Sequence, residues 1–408
     1  MNISEIEDLI RRIPKTDLHC HLDGSIRLTT LLDIAKKEGL PLPADTDAGL
    51  NESVFKDRYE NLEDYLRTFG LSCSVMQRPE YLERIACELA EDAQADGVRY
   101  LEVRFAPQLH ITEDMDMKTI LVSVNKGLRR AKHDFNMREE VLNGSEPKFH
   151  YGIIVCALRS FGAISDYYAR FINAHAFSDP RSIHGLASEE LARGAVKIRD
   201  ELDLPIVGFD LAGAESGNPA RYHRRAFRFA HANFMKKTVH AGEAYGAPSI
   251  FEAITELHAD RIGHGYYLFD QSKIEDPAVQ DRERYIRELV QYIADRRITV
   301  EVCLTSNLQT NPSIGELKNH TFAHMLKHGL SVTLCTDNRT VSKTTVSREI
   351  MLAIQHFGLS PHQLKNLIIY GFKRSFFPGP YLKKREYVRR CIDYYEQIVE
   401  GTELQEKG

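Results

Sequence analysis

The 408-residue sequence contains no C-x-x-C pair, no block of basic residues and no apolar run near membrane-spanning length. Each absence removes a class of function. Without a basic block there is no electrostatic footprint for a nucleic-acid groove. The strongest apolar run, IIVCAL at 153–158, falls well short of the roughly 18 residues of a membrane span and suits a buried strand. The opening stretch, MNISEIEDLIRR, is amphipathic and acidic early, unlike a signal peptide with its basic start and apolar core. The seven cysteines are odd in number and scattered, which argues against a disulfide framework and for a reducing, cytoplasmic setting. Internal repeats, low-complexity tracts and convincing linkers are also missing.

What is present is an ordinary globular composition, 43% hydrophobic and 27% charged with a net charge of −5, enough to bury a large core. Short apolar runs alternate with longer amphipathic ones. Strands are expected at 15–20, 98–105, 151–158, 205–211, 237–241, 260–263, 299–303 and 331–335. Helices are expected at 80–96, 116–134, 187–202, 217–235, 281–296 and 344–357. Strand–helix alternation implies parallel strands joined by crossovers. Eight such units in one chain predict an α/β fold, a (β/α)₈ TIM barrel. An open doubly wound sheet is the alternative, but no G-x-G-x-x-G follows the first strand. The expectation is a single domain over 1–408. Its core spans about 13–350, with several helices in the long first crossover 27–96 and added C-terminal helices in 351–408. The polar segment 136–150 reads as an exposed loop.

In such a barrel, chemistry collects at the C-terminal ends of the strands. His19 and His21 stand at the end of the first strand in KTDLHCHLDGS, where a period of two points both to one face and Cys20 to the other. Taken alone, an H-x-H pair is weak: roughly one arises by chance in a chain this rich in histidine. The other strand ends add to it. Gly213 follows the fourth in DLAGAE, His240 and Glu243 form HAGE after the fifth, His264 sits in GHG after the sixth, and Asp337 and Asn338 follow the eighth. Singly these read as turns or helix caps. Together, three of these four histidines with an aspartate and a spare glutamate make a metal-ligand set plus an acid/base group. A rival ladder, His320, His324 and His328, recurs every four residues but has no acid or thiol beside it, and reads as one face of an outer helix ending at Gly329.

With these residues assembled, the chain resembles the adenosine deaminase family of the amidohydrolase superfamily. TDLHCHLDGS, VRYLEVRFAP, GFDLAGAE, TVHAGE, RIGHG, EVCLTSN and CTDN occur in order from about residue 13 to 350. The resemblance implies a barrel holding one Zn²⁺ per chain, with His19, His21, His240 and Asp337 as ligands. It implies Glu243 as the proton shuttle, His264 as the group that orients the metal-bound water and accepts a hydrogen bond from it, Gly213 as a backbone donor to the purine, and Asp23 as the binder of a ribose hydroxyl. The residue types suit that chemistry, because neutral imidazoles and a carboxylate suit Zn²⁺, and a carboxylic acid can protonate purine N1 while water adds at C6. The cytidine-deaminase type of site, H-x-E with P-C-x-x-C, is excluded by the missing C-x-x-C.

One position departs from the family's usual pattern: Asn338 stands where a second aspartate is common, which puts substrate identity in question. The leading expectation is hydrolysis of adenosine and 2′-deoxyadenosine, with a small-molecule purine nucleoside as partner and neither nucleic acid nor membrane. Another 6-aminopurine, such as adenine or aminodeoxyfutalosine, is the alternative. A non-catalytic binding protein on the same barrel is the third reading, and it predicts a lost ligand or a lost Glu243, neither of which the sequence shows. The segments 136–150 and 159–186 exceed a compact member and are expected to reshape the pocket mouth.

Overall fold

The structure, a computed structural model, describes residues 2–405. Eight parallel strands pair in sequence order: Lys15–His21 (β1), Val98–Phe105 (β2), His150–Leu158 (β3), Ile206–Ala212 (β4), Lys236–Ala241 (β5), Arg261–His264 (β6), Thr299–Val302 (β7) and Val332–Leu334 (β8). The ring closes just beyond β8, where Asp337 pairs with Cys20. There the His21 amide donates to the Asp337 carbonyl at 2.7 Å and the Asp337 amide to the His19 carbonyl at 2.8 Å. Closure therefore fastens three of the expected metal ligands to one another through backbone. The (β/α)₈ expectation holds, and strand positions agree to within about two residues at each end.

These segments form strands because both of their faces are covered. Val98–Phe105 is buried at all eight positions, its Arg99, Glu102 and Arg104 included, as a parallel barrel strand covered on both faces is. The barrel interior nevertheless carries charge. Arg104 donates to Asp210 and Glu301 at 2.9 Å each, and Arg261 bonds to Glu102 and Glu301. Such ions are tolerated only because each is paired, since an unpartnered buried charge costs several kcal/mol. The outer helices start at side-chain caps. Asp116 accepts from the Thr119 amide to open Met117–Asn136, and Thr345 accepts from the Arg348 amide to open Val346–Phe357.

Four sequence readings need correction. Segment 136–150 holds the short helix Glu139–Leu142 and an Arg99–Glu146 ion pair, both partners nearly buried. It lies before β3, at the end of the barrel opposite the strand C-termini, so it does not shape the mouth. The 217–235 helix is interrupted, with a 3-10 turn at Ala220–His223 preceding Arg224–Ala232. The histidine ladder does not share one helix face, because the helix runs only from Phe322 to Lys327. His324 and His328 pack on Phe269, while His320 precedes the helix and is buried. Finally, Pro361–Arg374 packs directly on β8 and β1, so it completes the barrel wall rather than being an addition beyond it. The first crossover holds five helices, as its length demanded. Among the described residues no helix is long and apolar enough to cross a membrane.

Candidate active site

The side chains singled out in the sequence meet at the C-terminal end of the strands. Strand alternation brings His19 and His21 in from β1, β5 contributes His240, and the turn after β8 contributes Asp337. One ligand atom from each lies within 4.8 Å of all the others. Nε2 of His21 is 3.2 Å from Nε2 of His240, and Asp337 Oδ1 is 3.4 Å from His19 Nε2 and 3.5 Å from His21 Nε2. Asp337 and His264 both sit at positive φ, 60° and 64°. Non-glycine residues rarely hold that conformation unless their surroundings enforce it, and such strain clusters at functional sites.

Three supporting residues escaped the sequence reading. Glu301 on β7 accepts from His19 Nδ1 at 2.8 Å, and Asp210 on β4 accepts from His240 Nδ1 at 3.2 Å. Ser306 donates to Asp337 Oδ2 at 2.6 Å. Burial alone would raise both carboxyls. For Asp210, His240 and Arg104 outweigh it; for Glu301, Arg104 and Arg261 do, so both stay ionised. With Nδ1 committed to a carboxylate, each of these histidines presents a lone pair at Nε2. Nε2 of His19 is buried with no hydrogen-bond partner. An orphaned buried acceptor facing two further imidazoles and a carboxylate fits a metal ion, and imidazole with carboxylate suits the divalent transition metals. The only sequence signal for the supporting residues was that Asp210 and Glu301 lie inside the strand motifs GFDLAGAE and EVCLTSN, where a charge is costly.

Next to the cluster, Glu243 Oε1 is 3.4 Å from His264 Nε2. Burial, with the Asp337 and Glu215 charges adding to it against His240, pushes the Glu243 carboxyl up to about 8. The turn that carries Glu243 is pinned by Glu215, whose carboxylate accepts the amides of residues 242, 243, 244 and 245 at 2.7–3.1 Å and the Ser249 hydroxyl at 2.6 Å. Glu215 is another residue the sequence did not flag as functional. It ends the same DLAGAE motif that supplies Gly213, and Gly213 lines the pocket at φ +98°, a conformation open to glycine.

The pocket is a cavity of about 260 Å³ reached by Asp23, Gly213, His264, Glu243 and Asn338, with an apolar side from Leu62, Leu66 and Phe69 of the first crossover. Ser160 and Ile164, from the expected insertion 159–186, lie at this pocket too. Burial raises the Asp23 carboxyl to about 7, and its Oδ1 has no partner. Asn338 is not a helix cap; that role falls to Thr345. Its Nδ2 donates to the Tyr65 hydroxyl at 2.7 Å, and its buried Oδ1 has no partner.

Known proteins resemble this chain over most of its length. Residues 14–392 match the family model described as adenosine deaminase. Over 371 residues the chain is 35% identical to the adenosine deaminase of Mycobacterium marinum, covering 90% of this chain and 92% of that one. The crystal structure of adenine deaminase from Arthrobacter aurescens superposes with a TM-score of 0.73 at 22% identity, covering 94% and 99% of the two chains, a likeness of fold. Arabidopsis ADAL complexed with IMP superposes with a TM-score of 0.70 at 26% identity over 96% and 98%. The match over nearly the whole length, and a deaminase relative above one-third identity, leave one conclusion: this chain belongs to the adenosine deaminase family.

Proposed function

We propose that the protein is a zinc-dependent hydrolase converting adenosine and 2′-deoxyadenosine to the corresponding inosines and ammonia. The observation that carries the substrate assignment is Asp23. Its buried Oδ1 makes no hydrogen bond, with only His21 Nδ1 nearby at 3.8 Å, and at the pocket wall it suits a hydroxyl donor, which a nucleoside sugar has and free adenine lacks. Among the described residues, none lining this cavity is lysine or arginine, so a nucleotide phosphate would find no counter-charge there.

A Zn²⁺ held by His19, His21, His240 and Asp337 would act as a Lewis acid and lower the pKa of a water beside C6. The chain's own residues do the rest. Glu243, whose carboxyl burial raises, gives its proton to N1 and relieves the loss of aromaticity as the C6–O bond forms. The resulting carboxylate takes a proton from the adding water and passes it to the amino group. The C6–N bond then breaks with its electron pair and ammonia leaves, while the remaining hydroxyl proton returns to Glu243, so that C6 becomes the carbonyl and the acid is restored. His264 stands beside Glu243 to stabilise the charge developing on the adding oxygen. Gly213 supplies a backbone donor to the ring, and Asn338 an amide N–H to N7, an atom that only accepts.

The test is an absorbance assay of purified protein against adenosine, 2′-deoxyadenosine, adenine and AMP, with elemental analysis of the same sample. The proposal expects both nucleosides to turn over fastest and one zinc per chain. Adenine or AMP as the best substrate would overturn the nucleoside assignment, and a protein free of zinc would overturn the metal.

A further inference from the structure

His264 reaches the pocket through Nε2, and three hydrogen bonds leading away from its other nitrogen decide what Nε2 carries. They begin at a backbone amide. The Phe322 N–H lies 3.0 Å from Nδ1 of His320. A backbone N–H can only donate, so that nitrogen accepts, and a neutral ring must hold its proton on Nε2. Burial keeps the ring neutral by pushing it down to about 3. Nε2 of His320 is 3.2 Å from Oδ1 of Asn307, which receives the proton's hydrogen bond. The Asn307 amide is thereby oriented, and its Nδ2 donates to Nδ1 of His264 at 3.1 Å. His264 therefore accepts at Nδ1, and its single proton lies on Nε2, facing Glu243 at 3.4 Å.

We propose that Asn307 and His320 are positioning residues that lock His264 as the Nε2–H tautomer, so that this histidine donates to the adding oxygen and does not accept from it. The inference rests on reading the pocket as a deaminase site, and it changes the role expected of His264. A ring already protonated at Nε2 cannot take the water's proton there. That proton goes to the Glu243 carboxylate, and His264 contributes a fixed N–H dipole where negative charge develops. It also gives a function to the one histidine of the 320–328 series that the outer helix does not explain. A purely structural view makes His320 a space-filling group, packed edge-on against Tyr266 with ring centroids 5.0 Å apart.

The experiment reads the tautomer directly, by long-range ¹H–¹⁵N correlation NMR on histidine-labelled full-length protein, with His264 assigned through His264→Gln. Wild type should show His264 protonated at Nε2. Asn307→Asp replaces the donor with a carboxylate, which accepts from both histidines, so His264 should invert to Nδ1–H. In that variant kcat should fall by at least ~10-fold, less than the ~10²-fold of a lost acid–base group because the ring remains in place, with KM and zinc content near wild type. His320→Leu should leave a mixture of tautomers, and His320→Gln, whose amide can still donate to Asn307, should restore the Nε2–H form and most of the kcat. An Nδ1–H ring in wild type, or an unmoved tautomer in Asn307→Asp, overturns the relay. If neither variant folds, the wild-type spectrum alone decides. Correct tautomers in a protein that turns over no 6-aminopurine would sustain the relay and overturn the deaminase reading instead.

Discussion

In the proposed reaction Glu243 acts as an acid because burial raises its carboxyl, so this residue is the natural place to separate binding from chemistry. Glu243→Gln keeps the shape and loses the proton; zinc should remain bound while kcat drops at least ~10²-fold, as expected for a lost general acid, with elemental analysis and initial rates as the checks. Asp210 acts one layer further out, by holding the His240 ring through Nδ1. Asp210→Asn should weaken metal affinity by roughly 10–100-fold, the usual scale for such supporting groups, measured by competition with a chelator. Asn338 calls for a cycle. Adenosine should be preferred over 7-deazaadenosine by roughly 1–2 kcal/mol beyond intrinsic reactivity, the worth of one hydrogen bond to N7. In Asn338→Ala that preference should shrink; equal slowing of both substrates would leave N7 without this partner. At this scale the sequence showed the histidines and acids that the structure gathers into one cluster, since their chemistry is unusual. Asp210, Glu301, Ser306 and Asn307 went unassigned because a polar residue within a strand or early helix announces its type and not its partner.

Among the elements, the turn after β5 matters most. It carries Glu243, and its four amides converge on the Glu215 carboxylate arriving from the loop after β4. Glu215→Ala would strand those amides, so we expect a loss of about 3 kcal/mol or more of stability, from several unpaired buried donors. A fall in kcat should accompany it because Glu243 loses its support; denaturant midpoints and steady-state rates test both. An unchanged midpoint would mean that water replaces the carboxylate. The strands themselves were legible, because a parallel strand buried on both faces reads as an apolar run of four to eight residues. Helix boundaries were less so. Pro361–Arg374 could not be placed on β8 and β1 from its pattern, since an amphipathic helix shows its apolar face and not what covers it.

For the molecule as a whole, buried neutral histidines couple folding to pH. Burial lowers His110 to about 4 and His223 and His320 to about 3. Between those values and about 6.5 the unfolded chain binds more protons than the folded one. Stability contributed by these groups is therefore fully present above pH 6.5 and lost as pH falls through that window. Together they should add a slope of about 4 kcal/mol per pH unit near pH 5. His223 donates to the Arg159 carbonyl from Nε2, and its Nδ1 lies 2.8 Å from the Ser188 hydroxyl, which the neutral ring can accept. His223→Gln should reduce the measured slope by about 1.4 kcal/mol per pH unit, one proton's worth. An unaltered slope in urea titrations between pH 4.5 and 6.5 would show that His223 titrates normally.

The chain alone shows eight strand–helix units, places His19, His21, His240, His264, Asp337 and Glu243 at their C-terminal ends, and offers no C-x-x-C pair for a thiolate site. Local periodicity suffices for this, because alternation and apolar runs follow from burial within one element. Only the tertiary structure decided the rest. Barrel closure between Cys20 and Asp337 joins residues more than 300 positions apart, and Glu301, Asp210 and Asn307 acquire their partners across different strands. Hydrogen-bond direction at His264 depends on a backbone amide at Phe322, reached through two intervening side chains. Such contacts are set by packing in three dimensions, and no period along the chain encodes them.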